Sequence, residues 1–428
     1  MLSLLLLVAC GDSESPPSAE EAPGSEAPEA PEAPEAPEAP DATAQVWSAQ
    51  NIAQLMPQPA SRAAKTPVPL DSSEIYTATL AILGGIVDAE ATDPENPWAI
   101  GHGMLARGAD MKLRGGQDAV DWLFSEYAEE FDAGGVTLVR FPRARGDIRI
   151  EPHTDLILKA LTEARVDPER IVTVGGNPHP IADLYRSSLL RTYLDPYKNH
   201  SSFDNPNDVP WSVQGLAAWA PGDLTWLALD GTAMKLTSLV GFNIAVLDSE
   251  TKFIADAMRS GADFERKGQA IFQYTCGGAH LLQGAALAAA RFDSPPALKQ
   301  TVAKQVEQMF YRLPRELAIY DAAAKRLGPR YATTMMVQRL KFTGHFLESM
   351  HKLAAMGYYT PTPEQQALLE GAAQQVALVA QGLEKSGALS DLASIRKEDE
   401  QLYLDIVGDA AHAIRGLELA LGQRGVFY

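Results

Sequence analysis

YTCGGAHLLQGAALAA, residues 274–289, gains its meaning beside two later stretches, RLKFTGHFLESMHKLAA (339–355) and IVGDAAHAIRGLELAL (406–421). All three follow one plan: a small residue before a histidine, two apolar residues after it, and Gly or Ser four places on. The histidines, His280, His345 and His412, lie 65 and 67 residues apart, and PWAIGHGMLARG (97–108) offers a fourth copy around His102. A period of that length accommodates roughly two helices, as a ring of α-hairpins with equivalent inner helices would require. Gly278, Gly344 and Ala411 would then let the inner helices approach closely near their N-terminal ends. The histidines would share one level of the ring.

The rest of the chain fits that frame. From Trp211 onward, apolar residues recur at three- and four-residue intervals in segments near 211–220, 234–260, 275–291, 295–311, 313–327, 331–356, 363–384 and 395–422. Short connections between them predict antiparallel neighbours. Upstream, a helix capped by Asp71 or Ser72 carries Ile75, Leu80, Ile82 and Ile86, with further helices near 98–108 and 116–131. GGVTLVRFP (134–142), GDIRIEP (146–152) and RIVTVGG (170–176) alternate like strands around a helix at 153–165. The expected fold is mainly α, an α/α-toroid of helical hairpins over residues 71–428 with a small β-containing insertion near 134–176. The polar stretch 190–211 reads as a turn-rich excursion, since it lacks the ligand spacing of a calcium loop.

The N-terminus speaks of address. The apolar run in MLSLLLLVAC is far shorter than the ~20 residues that span a bilayer, and Leu7-Val8-Ala9-Cys10 has the form of a bacterial lipobox. The expectation is a signal peptide over 1–9, without the usual early Lys or Arg, and lipid attachment at Cys10. Gly11, in place of an Asp retention signal, favours the outer membrane, on its periplasmic or surface face. Residues 10–70 then form a linker of repeated Glu-Ala-Pro triplets with too little apolar surface to fold. At ~3.1 Å per residue, thirty such residues reach roughly 90 Å. Ten acidic residues between Asp12 and Asp41 account for more than half of the formal charge of −19. The remainder has no basic stripe, which argues against nucleic acid as a partner.

The order PWxIxHG, a short alternating segment, CGGxHxLxG, TGHFLE and a final AHAI helix resembles an uncharacterised bacterial family of α/α-toroids of the terpenoid-cyclase and prenyltransferase type. The resemblance covers roughly residues 74–425 and implies a fold without an established activity. The chain departs from the known enzymes of that fold: it has no DxDD motif, no Gln-Trp repeats, no Cys-His-Gly zinc motif and no prenyltransferase zinc triad. Walker A, GxSxG, HExxH and GxGxxG patterns are missing too, which removes nucleotide, serine-hydrolase and zincin chemistry.

Cys276 and His280 stand four apart and share one helix face, so thiolate and imidazole can hold one zinc ion. His345 and His412 would arrive from neighbouring inner helices to complete a Cys-His₃ or open three-ligand site. Glu348, one turn after His345, is the candidate general base, and His102 lines the same cavity. The competing reading makes the repeated histidines a polar layer that caps helices. His179, His200 and His351 fall outside the pattern. Two functions remain open: a metal-assisted enzyme of the cell envelope, or a non-catalytic lipoprotein that holds a glycan, peptide or lipid.

Overall fold

A computed structural model describes residues 46–58, 61–274, 278–292 and 296–428. The expected signal peptide, Cys10, the Glu-Ala-Pro repeats and Cys276 lie outside the described residues. Among the described residues the chain is mainly helical, with fifteen α-helices and sheets of only two or three strands. The helices are α1 (Ala49–Ile52), α2 (Glu74–Glu90), α3 (Pro97–Arg107), α4 (Ala119–Tyr127), α5 (Leu156–Ala164), α6 (Ala182–Arg191), α7 (Val209–Trp219) and α8 (Leu236–Glu250). They continue as α9 (Lys252–Ser260), α10 (Ala279–Arg291), α11 (Pro296–Leu327), α12 (Ala332–Ala355), α13 (Pro363–Lys385), α14 (Leu392–Glu398) and α15 (Glu400–Ala420).

Six of them close a ring. Helix α3 packs on α5, α5 on α7, α7 on α10, α10 on α12, α12 on α15, and α15 returns to α3. These inner helices are buried on nearly every face: all of α7 is buried, as is α15 from Tyr403 to Leu417. Their apolar outer faces must be covered from outside the ring. Helices α2, α13, α11 and α8 supply that cover, each packed on its neighbour outside the ring.

The closest approach is between α12 and α15. A Cβ on Gly344 would stand 3.0 Å from that of Ala413, and one on Gly416 would stand 2.9 Å from the Gly344 carbonyl. Gly278 has a different job from the one its place in the repeat predicts. It precedes α10 at φ 81°, and its Cβ would meet Ile271 and, at 3.1 Å, Leu247 of the outer helix α8. Left-handed backbone there calls for glycine.

The repeat also misplaces the histidines along their helices. His280 opens α10, but His345 and His412 sit in mid-helix, so neither caps anything. Helix α11 runs unbroken through Arg312, where segments 295–311 and 313–327 predict a break, and on through Pro314; the Arg315 guanidinium donates to the Tyr311 carbonyl at this point. Asp399 divides the predicted 395–422 helix near its start, its carboxylate accepting from the Leu402 amide to begin α15 after α14. Between the predicted helical segments 211–220 and 234–260 lies a hairpin, Thr225–Leu227 with Ala233–Lys235, whose first strand pairs in parallel with Val46–Trp47. The expected insertion is present as hairpins at Glu129–Arg140 and Ile171–Pro180. No helix among the described residues is long and apolar enough to cross a membrane.

Candidate metal centre

The ring brings its repeated histidines together on its axis. One ring nitrogen from each of His280, His345 and His412 lies within 4.8 Å of the others, and all three side chains are buried. Their ring centroids are 5.2 Å (His280–His345), 5.1 Å (His280–His412) and 4.1 Å (His345–His412) apart. His102 joins them from α3, 5.9 Å from His412 and 4.2 Å from Trp98. Each comes from a different inner helix.

The hydrogen bonds set the tautomers. His345 Nδ1 donates to the Lys341 carbonyl (2.8 Å), His102 Nδ1 to the Trp98 carbonyl (3.0 Å) and His412 Nδ1 to Glu348 Oε2 (2.8 Å). Carbonyl and carboxylate oxygens only accept, so each Nε2 keeps its lone pair. His345 Nε2 and both nitrogens of His280 have no hydrogen-bond partner among the described residues. Buried polar atoms without partners are rare and ask for an explanation.

Burial pushes the imidazoles of His280 and His345 well below their ordinary range, and that of His412 down despite the opposing pull of Glu348. His102 falls to about 3 through burial and the neighbouring His412. All four are therefore neutral at physiological pH, the form in which imidazole binds a metal.

The three-nitrogen set is close to the size of a zinc site. At the 4.8 Å limit each nitrogen stands about 2.8 Å from the centre of the triangle, so an inward shift of about 0.7 Å reaches the ~2.0–2.1 Å of a Zn–N bond. The group could hold a metal ion. Beside it lies a cavity of about 50 Å³, lined by Trp98, His102, His153, Trp211, Asp409 and the three histidines among others. That volume takes a water or a very small ligand.

Glu348, expected as a base, is wholly buried among partners. Besides His412 it meets Lys352 Nζ at 2.6 Å and Arg415 Nε at 3.2 Å. Burial alone would raise its carboxyl; Lys352 and His412 outweigh that and hold it well below the usual carboxylate range. His351, set aside on its helical face, is buried against Thr66 (2.9 Å), away from the cavity. His179 is tied to Glu130 and Asp183, and His200 to Asp230.

Sequence reasoning missed the residues around the histidines. His153 Nδ1 stands 2.8 Å from the buried Asp208 and stacks 5.1 Å from Trp211, which in turn lies 4.4 Å from His280. Lys159, Glu163, Lys352 and Arg415 form a charged layer beyond the histidines. The repeat did carry a signal for part of it: three residues after each histidine come Gln283, Glu348 and Arg415, polar where a packed helix face should be apolar. No family model, curated protein or solved structure matches the chain.

Proposed function

We propose that the protein is a metal-assisted enzyme of the cell envelope, tethered through lipid on Cys10, with zinc on the Nε2 atoms of His280, His345 and His412. One observation carries this reading: three buried, neutral imidazoles from three helices converge, two with Nδ1 committed to an acceptor that fixes the ring. A carboxylate or carbonyl behind a ligating histidine is the usual way a protein orients it. Glu348 therefore serves as the orienting partner of His412 in this reading.

Zinc so held would supply Lewis acidity to a water or a carbonyl oxygen. Of the chain's own groups, His153, held by Asp208, and Asp409 line the same cavity and can move a proton there. The substrate would approach from the side lined by Arg149, Pro152 and Gln401, because the space at the histidines is only water-sized.

Metal analysis tests the proposal. The full-length chain, purified without chelators, should carry about one zinc per molecule, and His280→Ala or His345→Ala should lose most of it. Stripping the metal should lower Tm in the parent and leave the variants unchanged. Absence of zinc, together with no shift in Tm when zinc is added back, would leave the histidines as a polar packing layer. A non-catalytic binding role is favoured by a different feature, the larger cavity on the other side of the charged layer.

A further inference from the structure

That larger cavity holds about 380 Å³, within the range of small-molecule pockets. It lies past the histidines along the inner helices. In α15, Gln401, Asp405, Asp409 and His412 face the first cavity and Arg415 the second; in α12, His345 faces the first and Lys352 the second. Its walls include Val166, Ala218, Trp219, Leu287 and Phe427, and its floor is charged.

The floor is out of balance. Three cations, Lys159, Lys352 and Arg415, meet two carboxylates, Glu163 and Glu348. Lys352 Nζ is fully served by Glu163 (2.8 Å), Glu348 (2.6 Å) and the Gln283 side-chain oxygen (2.9 Å). Arg415 spans both carboxylates, at 2.8 and 3.2 Å. Lys159 is the exception. Its side chain is completely buried, and Nζ stands 3.1 Å from Glu163 Oε1 in an ion pair not aligned as a hydrogen bond. Beyond the more distant charge of Glu348, it is drawn to the Trp211 ring, 4.8 Å away. A buried ammonium whose one close acceptor is misaligned is costly, and an anion bound beside it offsets part of that cost.

We propose that this cavity is a binding site for a small organic carboxylate, whose carboxyl group sits at the cationic floor of Lys159, Lys352 and Arg415 and whose apolar body lies against Trp219 and Phe427. A single negative charge matches the single excess cation, and the apolar walls favour an organic acid over inorganic phosphate. The site stands independently of the metal reading, since no histidine of the centre lines it.

Calorimetry on the full-length chain tests it, with sodium phenylacetate and sodium octanoate as probes, their neutral amides as matched controls, and inorganic phosphate. At least one acid should bind ten or more times tighter than its amide and tighter than phosphate. Lys159→Met should abolish that preference, and Leu287→Trp, which fills the cavity and leaves Lys159 in place, should weaken the acid at least tenfold. The proposal is overturned if neither acid binds, if acid and amide bind alike, or if phosphate binds as tightly. It is equally overturned if acid binding survives in Lys159→Met. Should that variant not fold, undiminished acid binding to Leu287→Trp overturns it alone.

Discussion

Buried charge is where single residues of this protein depart most from their ordinary chemistry. Glu151 shows it apart from the metal centre: burial, and then the neighbouring Asp155, push its carboxyl up to about 8, while its Oε1 accepts from the Ile157 amide at 2.9 Å. The folded chain thus keeps a proton that the unfolded chain releases above about pH 4.5. Its contribution to stability is complete below that pH and is lost as pH rises towards 8. Glu151→Gln keeps an oxygen for the Ile157 amide and has no charge to bury. It should be more stable than the parent at pH 8, on the order of 4 kcal/mol, and equal to it at pH 4. Denaturant titrations at the two pH values check this; an equal gap at both would refute it.

At the scale of elements, the α12–α15 contact decides how near the histidines come. Backbone meets backbone there, so a methyl group has nowhere to go: a Cβ on Gly416 falls 2.9 Å from the Gly344 carbonyl and 3.0 Å from the Glu348 amide. Gly416→Ala should cost about 1–3 kcal/mol through overpacking and also reduce zinc content, because it pushes His412 and His345 apart. Gly371 in α13 has open space around its Cβ position, so Gly371→Ala should instead gain up to ~1 kcal/mol of helix propensity. Thermal melts of the two variants should move in opposite directions. The element scale is also where reading by periodicity fell short. The segments 295–311 and 313–327 predict a break at Arg312, yet packing against α8, α10 and α12 carries α11 straight through it and through Pro314. The hairpin at 225–235 was missed since its short strands are held by a partner from Val46–Trp47, remote in sequence.

At the scale of the whole molecule, the N-terminal stretch predicts a tether. Labelling cells that express the chain with an alkyne-bearing palmitate should tag the parent and not Cys10→Ala, and fractionation should place the parent with membranes. A label that survives the substitution would remove the lipid anchor from the proposed function. The ring itself needs no such test of its legibility: the spacing of His280, His345 and His412 announced repeated hairpins, because local periodicity and small-residue positions are written along one strand of chain. What the sequence by itself determined was therefore helical class, the repeat, and the residue types at one level of the inner helices. Only the tertiary structure decided which faces point to the axis. It placed Glu348 behind His412, moved Gly278 against the outer helix α8, and gathered Lys159, Glu163, Lys352 and Arg415 into one buried layer. These are contacts between residues up to some 250 positions apart, and no local pattern encodes them. They exist because ring closure forces six helices to share one interior, where every polar side chain must find its partner across the axis or await a ligand.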